Sequence, residues 1–223
     1  MLLYQADHHG ALPVEGDYKG KIPGVGDPAD FAWWHQVGHE INDKAWYNVL
    51  PPYAGESPLR DLLPGATNEA RRRYIRDFTS SLFHAPGAEI RDTESAGAKD
   101  LIGNKVPTGY FINSQLYNKD AAAALGISSS RLREQGLRYA SLPDPAKVVF
   151  MAEARTSDDE KVPGENESAA DVFRARGQAA HVGSRYGGRT SLVFFDGSVR
   201  TYDALEVKQA SHQLGIIWTP WVP

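Results

Sequence analysis

Two short apolar runs on either side of an Asp-Gly pair constrain this chain more than any other feature. Thr190-Ser191-Leu192-Val193-Phe194-Phe195 leads directly into Asp196-Gly197, and Ser198-Val199-Arg200-Thr201-Tyr202 follows. β-Branched and aromatic residues fit a pleated, half-buried surface. An Asp-Gly pair between two such runs is the strongest short-range hairpin signal, because a type I′ turn needs positive φ at both central positions. The C-terminal third therefore predicts an antiparallel hairpin, and a hairpin needs further strands or a helix to cover its apolar face.

Two further runs supply candidates. Lys147-Val148-Val149-Phe150-Met151-Ala152 follows the Pro143–Pro145 turn, and Tyr110-Phe111-Ile112 is a shorter one. Helical signals are local. The opening through Gly10 reads as the end of a helix stopped by glycine. Residues 30–37, 43–50 (ended by Pro51-Pro52), 68–82 (capped by Asn68) and 130–137 (capped by Ser130) read as short helices. Residues 156–188 are polar, charged and Gly-rich, and read as a long surface loop. The expectation is one α+β domain over residues 1–223: a helix end, loops with short helices, then antiparallel strands.

Composition narrows the function. Apolar residues make up 41% and charged residues 23%, an ordinary globular balance. The formal net charge of -4 argues against general nucleic-acid binding, which carries a basic footprint. The chain has no cysteine, which removes disulfides, thiolate metal sites and a cysteine nucleophile. No apolar run reaches the roughly 18–20 residues that span a bilayer.

Several clusters invite chemistry. His35 and His39 share a helical face at i, i+4, but Gln36 stands where a zincin carries its glutamate base, and Gln takes no proton from a metal-bound water. His8 and His9 sit at a helix end, where the macrodipole favours a protonated imidazole. Asp158, Asp159, Glu160, Glu165 and Glu167 are an acidic run without EF-hand spacing, read as a solvated loop. Arg71, Arg72, Arg73 and Arg76 form a basic helical face. Trp33, Trp34, Trp46, Trp218 and Trp221 suggest either core anchors or a platform for stacking sugars, with Trp33 and Trp34 as candidate ligand residues. No Gly-x-Ser-x-Gly elbow, Walker loop or dinucleotide fingerprint is present. The reading is of a non-enzyme.

The C-terminal third resembles a family of prepilin-like proteins, pseudopilins that carry a His…Asp-Gly element. The residues are His181, then Gly187-Gly188-Arg189, then Leu192 through Val199 with Asp196-Gly197. Other segments keep the family order. They are Tyr4 to Pro13, Trp46 to Tyr53, Gly109-Tyr110-Phe111-Ile112-Asn113, and Pro143 to Phe150. The stretch between His181 and Asp196 is longer here than in the family pattern, and Ala85-Pro86 stands where the family often has Cys-Pro.

The resemblance implies a pilin-like fold, in which the end of a long N-terminal helix packs on an antiparallel sheet. It implies the extracytoplasmic head of a subunit of a type II secretion or type IV pilus-like filament. That head would be anchored in the inner membrane through an N-terminal helix not in this sequence, and would face the periplasm or cell surface. The implied partners are other pseudopilin subunits, the secretion machinery, a prepilin peptidase acting on the precursor, and an exported protein or polysaccharide. The resemblance also makes calcium a candidate ligand, at Asp196 and Asp203 beside the 184–189 loop. The alternative is an exported carbohydrate-binding protein using Trp33 and Trp34.

Overall fold

The computed structural model describes residues 2–16, 37–63, 74, 82–88, 108–128, 131–132, 137–156, 160 and 176–221. Among these, five strands form one sheet: β1 (Tyr110–Asn113), β2 (Val149–Glu153), β3 (Arg176–Gly177), β4 (Arg189–Phe194) and β5 (Val199–Asp203). Their spatial order is β3-β1-β2-β4-β5. Three of the four pairings are antiparallel, whereas β3 runs parallel to β1 through Ile112↔Arg176 and Asn113↔Gly177. The sheet is therefore mixed, where the sequence led to an antiparallel one. The fold class is α+β.

The side-chain period of two explains where the core lies. Phe111, Val149, Ala152, Leu192 and Phe194 turn to one face, while Ile112, Phe150 and Phe195 turn to the other. The second face carries the larger cluster, with Trp46, Tyr47, Leu59, Phe83, Leu116 and Tyr117. On the first face Ala204 and Val207 of a helix, Ala204–Ala210, pack together with Ile216 and Trp218. β2 is buried on both sides, as its apolar run Val149–Ala152 requires. β5 is mostly exposed, as befits an edge.

The hairpin forms where the Asp-Gly signal put it, with Val193 opposite Val199. Its turn is not type I′. Gly197 has φ 86°, but Asp196 is absent from the left-handed region. The Gly197 N–H donates to the Phe194 carbonyl, and the Phe194 N–H donates to the Ser198 carbonyl. This is a three-residue loop with glycine alone in the left-handed position. That glycine bulge matches strand twist as a primed turn does, and needs only one positive φ.

Among the described residues the regular helices with both ends described are short: in chain order α1 (Leu2–Asp7), α2 (Trp46–Val49), α3 (Leu59–Leu62), α4 (Lys119–Ala124) and α5 (Ala204–Ala210). α1 ends before Gly10, and His9 also adopts the left-handed conformation at φ 53°. The Gly10 N–H returns to the Gln5 carbonyl, the six-to-one bond of a Schellman ending. The helix expected over 43–50 shrinks to α2, because Ala45 is extended at φ -64°, ψ 142°. Glu40–Asn42 and Pro51–Ala54 flank it as 3-10 turns. Asn118 and Asp203 cap α4 and α5 by accepting from the Ala121 and Glu206 N–H groups. Most of the helices expected over 30–37, 68–82 and 130–137 lies outside the described residues. Among the described residues no helix is long and apolar enough to cross a membrane.

The 156–188 stretch departs from a plain surface loop. Its final part holds β3, a 3-10 turn at Ala179–His181, and a buried side chain at Arg185.

Candidate functional site

The densest polar chemistry lies where β2 runs out of the sheet. Beyond Glu153 the chain continues through Ala154, Arg155 and Thr156, all buried. Val182 bridges to Ala154, and the Gly183 N–H donates to the Glu153 carbonyl. The returning chain comes very close here. A Cβ on Gly183 would lie 3.0 Å from Glu160 Oε2 and 3.2 Å from the Ala154 carbonyl oxygen. Glycine is needed there for space.

Next along the chain, Ser184 Oγ donates to the Glu160 carbonyl at 2.6 Å. Arg185 turns inward. Its Nε donates to Glu160 Oε1 at 2.6 Å and its Nη2 to Glu160 Oε2 at 3.1 Å, a two-point grip on the carboxylate. Nη2 also contacts the Ala154 carbonyl oxygen, and Thr156 Oγ1 at 3.3 Å. Thr156 completes the ring, its N–H donating to Glu160 Oε2 at 2.7 Å and its hydroxyl to Oε1 at 2.9 Å. Both charged side chains are nearly sealed, 4% exposed for Arg185 and 9% for Glu160. Arg185 Nη1 finds no partner among the described residues.

Glu153 stands beside this pair. Burial pushes its carboxyl above the usual glutamate range; the Ser191 bonds and the Arg185 charge pull it back, and Glu160 pushes it up. The Ser191 N–H donates to its Oε2 at 3.1 Å. On the other side of Arg185, Tyr186, Gly187 and Gly188 have φ 52°, 73° and 90°. Three left-handed residues in a row turn the chain into β4, and only the two glycines hold that conformation without steric cost. The Tyr186 hydroxyl donates to the Pro86 carbonyl, tying this turn to the 82–88 segment.

The residues singled out from the sequence sit elsewhere. His181 Nδ1 accepts from the Gln178 N–H at 3.1 Å, closing a capping box, and its ring meets Phe111 edge-on at 6.5 Å. Asp196 accepts from the Ser198 N–H and hydroxyl at 2.9 and 2.7 Å. Those bonds hold its carboxyl below the usual range. Asp203 caps α5. Asp196 precedes β5 and Asp203 is its last residue, so the four steps from Val199 to Asp203, at about 3.4 Å each, put about 13 Å of strand between them. They do not converge on one ion. Among the described residues no group of three or more His, Cys, Asp or Glu is placed to hold a metal.

Trp46 is 1% exposed and packs with Phe83, and Trp218 stacks on Phe111 at 6.2 Å. Both are core anchors and not a sugar platform. Trp33, Trp34 and His35 fall outside the described residues, as do Arg71 to Arg73. Glu160, read as part of a solvated acidic run, is instead a buried partner of Arg185. The signal for that pairing was faint: the two residues are 25 apart inside one polar stretch. A shallow cleft of about 500 Å³ also opens beside α5, lined by Lys208, His212, Ile217, Trp218 and Pro220 among others.

The fold and this node define a mixed α+β domain whose return strand is fixed by a buried ion pair. No family model, curated protein or solved structure matches the chain.

Proposed function

We propose that this chain is the globular head of a pseudopilin-like subunit, a structural component of a type II secretion or type IV pilus-like filament. The observation that supports this reading is where the motif segments fall. Tyr4 and Leu12 are buried, Trp46 and Tyr47 anchor the larger core, and Gly109 to Asn113 leads into and forms β1. Pro143 to Phe150 leads into β2, and Leu192 to Val199 is the β4–β5 hairpin. Segments far apart in sequence thus meet around one sheet, as expected of motifs that encode a shared fold.

On this reading the head displays surface while other parts of the subunit assemble. Glu160, Thr156 and Arg185 Nε and Nη2 bond chiefly to one another, which suits a scaffold. Prepilin peptidase, sibling subunits and an exported protein or polysaccharide are the proposed partners, on the periplasmic or cell-surface side.

The test is to read the gene upstream of the Met1 codon and challenge the precursor with a prepilin peptidase. A short basic leader, cleavage before an apolar helix of about 20 residues, and incorporation into filaments would support the proposal. A precursor that carries an ordinary signal peptide, or that the peptidase leaves intact, would remove it.

A further inference from the structure

Glu160 and Thr156 present their oxygens, with the Ala154 carbonyl, to a single cation. Among the described residues four protein oxygens accept from Arg185 Nε and Nη2: Glu160 Oε1 and Oε2, Thr156 Oγ1 and the Ala154 carbonyl oxygen. The wall is not built by Arg185. Thr156 holds both carboxylate oxygens by its own N–H and hydroxyl, and Ser184 holds the Glu160 carbonyl. Gly183 leaves room for the carboxylate where any Cβ would crowd it. Among the described residues Glu153, Tyr110 and Tyr186 feel the Arg185 charge.

We propose that these oxygens form a cation cage selective for a planar guanidinium, and that Arg185 occupies it as a tethered ligand. A buried carboxylate needs a compensating cation. The fork geometry of the two Arg185 bonds to Glu160 suits a guanidinium better than a spherical ion. The tether matters because Arg185 is followed by three left-handed residues. Filling the cage holds the start of that turn, and with it the entry of β4. The cage stands on this geometry and is independent of the filament reading.

The full chain carrying Arg185→Ala tests the idea by chemical rescue. The variant melts lower than wild type, and ethylguanidinium raises its Tm saturably, while urea and sodium chloride at equal concentration do not. At ten times its Kd the ion shifts the unfolding equilibrium about 11-fold toward the folded chain. Wild type, its cage filled, gains nothing. Adding Glu160→Gln to Arg185→Ala abolishes the rescue. Should Arg185→Ala fail to fold alone, refolding yield from urea with and without the ion replaces melting as the readout. Rescue that is absent, that salt reproduces, or that survives in the double variant overturns the proposal, as does an Arg185→Ala chain that melts like wild type.

Discussion

Asn113 is where the sheet and the C-terminal segment are joined, and changing it by one atom has a calculable effect. Its Nδ2 donates to the Val149 carbonyl at 3.0 Å and to the Trp218 carbonyl at 2.9 Å, and its Oδ1 accepts from the Gln115 N–H at 3.0 Å. The side chain is fully buried. Asn113→Asp keeps the shape but turns an oxygen toward two carbonyl oxygens. A buried carboxyl in such a place has its pKa raised by about 3–5 units. The unfolded carboxyl titrates about three units below neutral pH, so at about 1.36 kcal/mol per unit the substitution costs about 4 kcal/mol at pH 7, where the folded group takes up a proton rather than costing more. That approaches the lower end of the stability of a typical domain, about 5–15 kcal/mol.

The sign follows from linkage. The folded pKa lies above the unfolded value, so the variant is least impaired below the unfolded pKa and loses stability as pH rises through the folded one. Moving from pH 7 to pH 5 should therefore recover about 2.7 kcal/mol relative to wild type. Asn113→Ala orphans the same backbone groups at a cost of about 2–4 kcal/mol, with no such pH dependence. Urea titrations at both pH values, followed by tryptophan fluorescence, separate the cases. An Asp variant within about 1 kcal/mol of wild type at pH 7, with the same pH slope, would refute the assigned bonding.

Other positions give sharper or broader tests. Glu160→Gln leaves Arg185 buried without its counter-charge and should cost about 3–5 kcal/mol, whereas Glu160→Leu with Arg185→Met should recover much of that in a double-mutant cycle of denaturation curves. Gly109→Ala puts a Cβ 2.6 Å from the Ala85 nitrogen and 2.9 Å from its Cβ, and should destabilise by about 1–3 kcal/mol in the same assay. Glu153→Gln removes a carboxyl whose folded pKa is raised, chiefly by burial. Wild type keeps the Glu153 contribution below the unfolded pKa and loses it as pH rises, so the Tm advantage of the variant should grow from pH 4 toward pH 7.

What the sequence made legible was what local rules control. The short apolar runs on either side of Asp196-Gly197 announced the β4–β5 hairpin, because strand propensity and turn chemistry are both short-range. Even there the turn type was misread, since a glycine bulge and a type I′ turn use the same dipeptide. Asp203 and Glu206 carry a capping signal for α5, and Asn118 carries one for α4. Pairings across long polar stretches were beyond reach. Nothing local distinguishes Glu160 from Asp158 or Asp159, and only the returning Arg185 makes it a buried group. β3 is equally silent, because two residues have no period, and their parallel pairing with β1 depends on how the chain returns. The tryptophans were ambiguous for a related reason: Trp46 and Trp218 are core because of neighbours distant in sequence.

The bond from Asn113 to Trp218 also sets an order in time. Those residues are 105 apart. The backbone of β2 waits in the same way, for Val149 donates to the Ile217 carbonyl and Ile217 to that of Lys147. At about 5–20 residues per second, β1 is synthesised roughly 5–20 s before the residue that completes its face exists. During that interval Phe111, Val149 and Asn113 need shelter that the finished chain later supplies itself. A chain stopped short of Ile217 would keep every strand of the sheet and still lack the piece that closes it.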